Sequence, residues 1–121
     1  MNLMILPYDF CVCKLKDMSE ICFEDEFFFI SKTNEELSLV CKEESLPSNI
    51  TDYEKNWKAI KIDGILDFSL VGVLSNISSL LSNNNISIFA ISTFNTDYIL
   101  IKNKDFNHAV SLLKSNGHIF I

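Results

Sequence analysis

Ile86-Ser87-Ile88-Phe89-Ala90-Ile91-Ser92-Thr93-Phe94-Asn95-Thr96-Asp97-Tyr98-Ile99-Leu100-Ile101 is the stretch on which the reading of this chain turns. Two runs rich in β-branched and aromatic residues flank the polar segment Thr93–Asp97, the pattern of two strands joined by a short turn. The hairpin has an echo. Sixty-one positions earlier, Phe28, Ile30, Ser31, Asn34 and Leu39 precede Phe89, Ile91, Ser92, Asn95 and Leu100, with Glu36 ahead of Asp97 and Val40 ahead of Ile101. That spacing is half of the 121 residues, as duplication of one small unit requires. Two unrelated hydrophobic hairpins would share apolar positions alone; here a Ser and an Asn coincide as well.

Working outward, the period changes from two to nearly four before the hairpin. Leu70, Val73, Leu74, Ile77, Leu80 and Leu81 make one apolar helix face, with Ser75, Asn76, Ser78, Ser79 and Ser82 opposite. Asp67 or Ser69 is placed to cap this helix, and Asn83-Asn84-Asn85 to end it, because Asn tolerates the left-handed conformation of helix ends. Trp57–Ile62 alternates as a strand ending at Asp63-Gly64. After the hairpin, a helix is predicted from about Lys104 to Ser115, with Phe106, Ala109, Val110 and Leu113 inward, Asp105 in its first turn and Gly117 beyond its end. His118–Ile121 reads as a last short strand. The C-terminal half is therefore βαββαβ, an α+β, ferredoxin-like order with an antiparallel sheet and both helices on one face. The N-terminal half shows a strand over residues 8–16 and the hairpin around Thr33-Asn34-Glu35-Glu36, but weaker helix signals. The polar residues 42–56 are the candidate linker.

Composition narrows the function classes. Hydrophobic residues make up 48% of the chain, enough for a packed core and too many for wholesale disorder. No apolar run approaches the roughly 20 residues that cross a bilayer. Met1–Leu6 has no basic flank and meets Pro7 too early for a signal peptide, so a cytoplasmic protein is expected and the sequons at Asn49, Asn76 and Asn85 are read as accidental. The net charge is −6 and every basic residue is Lys. Without Arg or a basic stripe, nucleic-acid binding is not expected. Cys11, Cys13, Cys22 and Cys41 form no CxxC pair, and His108 and His118 lie at the far end of the chain. Buried thiols in a reducing compartment are the better reading than a metal site. Ser69, Ser92 and Cys13 are nucleophile types with no visible base, and there is no Gly-rich phosphate loop, so no catalytic residue, metal or cofactor is expected.

The runs Leu66-Asp67-Phe68-Ser69-Leu70-Val71-Gly72-Val73-Leu74 and Ile88–Leu100, with its Ser92-Thr93-Phe94-Asn95-Thr96-Asp97-Tyr98 turn, resemble the ACT domain. The likeness is to small tandem-ACT proteins, and covers nearly the whole chain, most strongly residues 57–118. It extends to the paired ACT domains of aspartate kinases and to the arginine sensors of the CASTOR family. The resemblance implies two tandem ACT domains, a degenerate one over 1–56 and a second over 57–121. It implies a sensor or regulatory module that binds a small molecule, a free amino acid, at an interface between ACT domains. A homodimer and a regulated partner protein are the further expectations. The alternative is a dimerising interaction module without ligand.

The residues matching the pattern make chemical sense as a site. Gly72 near a helix start would let a carboxylate approach N–H groups where the helix dipole is positive, with Val73 next to it. Asp97 could receive an ammonium or guanidinium group. Thr93 and Phe94 would supply a backbone edge and an apolar wall. Each residue also has a simpler reading: close packing for Gly72, a turn hydrogen bond for Asp97, and core for Phe94.

Overall fold

The computed structural model describes residues 1–65 and 72–121. In chain order its strands are β1 (Asn2–Ile5), β2 (Phe10–Leu15), β3 (Phe28–Lys32), β4 (Leu37–Lys42), β5 (Ile50–Ile62), β6 (Ile88–Ser92), β7 (Asp97–Lys102) and β8 (Ile119–Phe120). Two helices, α1 (Val73–Ser82) and α2 (Asn103–Ser115), complete a mixed α+β, ferredoxin-like arrangement. The described residues group into two units. One, here the inserted unit, is Tyr8–Trp57; the other, the split unit, joins Met1–Pro7 to Lys58–Ile121. The first seven residues thus belong with the C-terminal residues, not with an N-terminal domain starting at residue 1. The cause is pairing: β1 lies antiparallel to β5, with Leu3 opposite Ile62, and parallel to β8, with Leu3 opposite Phe120.

In the split unit the strands run in the order β6-β7-β5-β1-β8. Ile60, Ile62, Ile99 and Ile101 alternate along β5 and β7 onto one face, where they meet Ile77 and Leu81 of α1 and Phe106, Ala109 and Leu113 of α2. Both helices therefore cover the same face, as the apolar periodicity required. α1 starts at Val73 with Gly72 as its N-cap residue and, among the described residues, no side-chain cap bond. Leu70, Asp67 and Ser69, expected in or before it, lie outside the described residues. Its end follows the expectation: Asn85 takes φ +59°, and the Ile86 N–H returns 2.9 Å to the Leu81 carbonyl. Gly117 (φ +90°) and the His118 N–H, 3.1 Å from the Leu113 carbonyl, end α2 in the same way.

The inserted unit has the strand order β3-β4-β2-β5 and, in place of helices, a single 3₁₀ turn over Glu43–Ser45. Its core of Cys11, Cys13, Leu15, Leu37, Leu39 and Cys41 is closed by Ile21 and, partly, Leu46 and Ile50. Cys22 is the exposed thiol. The Lys42 ammonium sits 3.0 Å from Asp25 and 4.0 Å over the Tyr8 ring, while Ser45 Oγ donates to Asp25 at 2.6 Å. The stretch 42–56 is not a linker, because it ends β4, forms the 3₁₀ turn and from Ile50 on belongs to β5, paired with β2 through Cys13–Tyr53 and Lys14–Asp52. Residues 51–56 are all exposed, so the alternation that marks a half-buried strand is missing there. A register shift between Val12–Glu54 and Phe10–Trp57 leaves one extra residue in β5, and Asn56 takes it up at φ +69° with its N–H on Glu43 Oε1 at 2.7 Å.

The two hairpins correspond, though not at the spacing the sequence suggested. β3 and β4 map onto β6 and β7 when shifted by 60 residues: Phe28–Cys41 and Lys32–Leu37 match Ile88–Ile101 and Ser92–Asp97. A shift of 61 would slip each strand by one residue and turn its apolar set to the other face. Ser31 and Ser92 are therefore not equivalent, nor are Asn34 and Asn95. The equivalent residues are Thr33 and Thr93. Thr33 N–H bonds the Glu36 carbonyl at 3.0 Å, and its Oγ1 accepts from the Glu36 N–H at 3.3 Å. Thr93 does the same with Thr96, at 2.8 and 3.3 Å.

Candidate functional site

The predicted site falls wholly within the split unit, and the chain path brings its two parts to one end of the sheet. Thr96 is 4% exposed and donates from Oγ1 to the Ile62 carbonyl at 2.7 Å, which ties the β6–β7 turn to the end of β5. β5 and β6 both end there. Because α1 leads from the end of β5 to the start of β6, its N-terminus lies at the end of the sheet that carries the turn. Its length agrees: ten residues of helix rise about 15 Å, close to the roughly 17 Å of a five-residue strand.

At this end the five predicted residues divide by role. Gly72 is exposed at φ +88°, and a Cβ built there would meet nothing within 4 Å. Close packing is thus not its reason; the left-handed turn into α1 is. Among the described residues no acidic residue occupies the first turn of α1 and no side chain caps the N–H groups after Gly72. Val73 is half-buried and packs against the core, and so offers its backbone rather than its side chain. Thr93 is committed to the turn. Phe94 is 79% exposed at the tip, which removes the core reading. Asp97 is half-buried and accepts from Ser92 Oγ across the hairpin.

Ser92 and Thr96 were not singled out as site residues, yet they fix Asp97 and the turn. No repeat marks either residue: at the 60-residue spacing Lys32 and Glu36 stand at their places, and only Thr93 recurs, as Thr33. The site is not duplicated: at the equivalent positions of the inserted unit stand Lys32 and Leu37, so the Ser–carboxylate pair is particular to the split unit. A groove lined by Ser78, Ser82, Asn85, Ser87 and Ile88 lies at the C-terminal end of α1, away from the predicted residues. His108 is exposed on α2, and burial holds the His118 imidazole below its ordinary pKa. Neither histidine joins the turn.

Comparison with known proteins agrees with this architecture. Residues 52–115 match the model of the ACT domain, and residues 8–49 match the model of a separate N-terminal domain. The chain belongs to the ACT domain family. A structural-genomics protein from Agrobacterium tumefaciens superposes with a TM-score of 0.89 at 28% identity, over 99% of this chain and 91% of that one. A Vibrio cholerae protein of unknown function, described as a possible transport protein, gives 0.74 at 17% identity, over 94% and 88%. Aspartokinase III of Escherichia coli, solved in complex with aspartate and ADP, gives 0.60 at 14% identity. The match takes in 95% of this chain but 32% of that enzyme, so the present chain spans about a third of its length. No curated protein matches. ACT domains are regulatory domains that often bind amino acids.

Proposed function

We propose that this protein is a non-catalytic ACT-domain sensor or regulatory module that binds a free amino acid at the turn end of the split unit. The ligand carboxylate would lie against the N–H groups that follow Gly72, and its ammonium or a side-chain cation against Asp97. Thr93 would present its backbone edge and Phe94 an apolar wall. The observation that carries the proposal is the bond from Thr96 to the Ile62 carbonyl, because it holds the Asp97 turn at the end of the sheet where α1 begins with no capping side chain among the described residues. Opposite charge is thereby offered to the two ends of one zwitterion.

The reading extends to the whole chain as two tandem ACT units, the inserted one having lost its helices. Like hairpins with the same threonine turn, each placed at one edge of its sheet, support it. A homodimer is part of this proposal. Calorimetry on Asp97→Asn tests the site. Losing one charge-assisted hydrogen bond costs about 1.5 to 3 kcal/mol, so amino-acid affinity should fall roughly tenfold to hundredfold with the fold unchanged. Unchanged affinity would assign Asp97 to the turn alone.

The second reading, an interaction module without ligand, is favoured by the internal commitment of the turn: Ser92 already holds Asp97 and Thr96 already holds Thr93.

A further inference from the structure

The core of the inserted unit is closed on one side by irregular segments, and three of the seven buried residues that form it are cysteines. Cys41 of β4 stands directly opposite Cys11 of β2, and Cys13 follows two residues along β2, on the same face. Directly opposed residues of an antiparallel pair have Cα atoms about 4.5 to 5.5 Å apart, inside the roughly 4.4 to 6.8 Å that a disulfide spans. Among the described residues no group of three or more His, Cys, Asp or Glu is arranged to hold a metal.

We propose that Cys11 and Cys41 form a reversible cross-strand disulfide, with Cys13 as the thiol through which oxidation enters. The oxidant is hydrogen peroxide. The Cys13 thiolate attacks a peroxide oxygen, the O–O bond breaks, and the departing hydroxide takes the thiol proton as water. Cys41 sulfur then attacks the Cys13 sulfenic acid; the S–O bond breaks and a second water leaves. Cys11 finally displaces Cys13 from Cys41, and its proton returns to Cys13. Two thiols and one peroxide become one disulfide and two waters.

The electrostatics suit these roles. The hydrogen bond with Cys41 draws the Cys13 thiol below its ordinary pKa against the opposing effect of burial, while burial pushes Cys11 up to about 11. The residues of this cluster and the hydrophobics packed on it all lie in strands and loops of the inserted unit, and loops open more readily than packed helices, so a molecule as small as hydrogen peroxide gains access during local opening.

The test treats the folded protein with hydrogen peroxide, alkylates it in denaturant, and maps the linkages by mass spectrometry. The expected product is a monomer lacking two hydrogens, with Cys11 joined to Cys41 and Cys13 alkylated, and it reverts on reduction. Cys22→Ser should leave the product and its rate unchanged. Cys13→Ser, checked for fold by circular dichroism, should give the same linkage about tenfold more slowly, since the remaining thiols carry little thiolate. Full alkylation of Cys11 and Cys41 after treatment, or linkage only through Cys22, overturns the disulfide. An unchanged rate in Cys13→Ser overturns the entry role.

Discussion

Thr96 is the residue on which the arrangement of the turn rests. Its hydroxyl is buried and bonded to a backbone carbonyl 34 positions earlier. Replacing it with Val keeps the shape but leaves that carbonyl unpaired, at a cost of about 1 to 3 kcal/mol. Denaturant unfolding of Thr96→Val should therefore show a lowered midpoint with an unchanged slope. Gly72 makes a different prediction. Nothing would touch a Cβ there, so the penalty of Gly72→Ala is the left-handed backbone alone, about 1 to 2 kcal/mol. Thermal unfolding should show that loss, whereas an unchanged Tm would mean that the turn relaxes without cost. Site residues were legible in the sequence where a side chain has one obvious job, as with an acid in a turn. Thr96 was not, because a threonine among polar turn residues does not reveal that it is buried.

At the scale of elements, amphipathic helices read well because their signal is local. Both helices end at the predicted Asn and Gly positions, and α2 begins within one residue of the expected start. Strands whose character depends on a distant partner did not read. Asn2–Ile5 is short and its partners lie at residues 60–62 and 119–120, while β5 is polar where both sides are wet. The hairpin register was misread by one because Ser and Asn recur at one spacing and the structurally equivalent threonines at another. Within the inserted unit, the Asp25 carboxyl is held below the usual range by hydrogen bonds from Ser45 and then Lys42. A depressed folded pKa adds stability above the unfolded value of about 3.9 and loses it as pH falls through the folded value. The stability of the unsubstituted protein should thus drop on acidification below about pH 4. The difference from Asp25→Asn, followed by denaturant unfolding across that window, should shrink toward zero at the acid end. A constant difference would assign Asp25 a role independent of its charge.

For the whole molecule, an N-terminal strand that pairs beside the C-terminal one makes the split unit depend on both ends of the chain. Removing Met1–Pro7 should therefore destabilise the ACT domain rather than trim an appendage, and hydrogen exchange should show lost protection in β5 and β8. The proposed homodimer is checked by light scattering, where a monomer at high micromolar concentration would contradict it. The central claim, that a free amino acid is the ligand, is tested most directly by thermal unfolding in the presence of each of the twenty amino acids at millimolar concentration. A ligand at 100 times its dissociation constant adds about 2.7 kcal/mol to the folded state. The account predicts that at least one amino acid raises the Tm, and that Asp97→Asn abolishes or greatly reduces the rise. Twenty unchanged Tm values would contradict it.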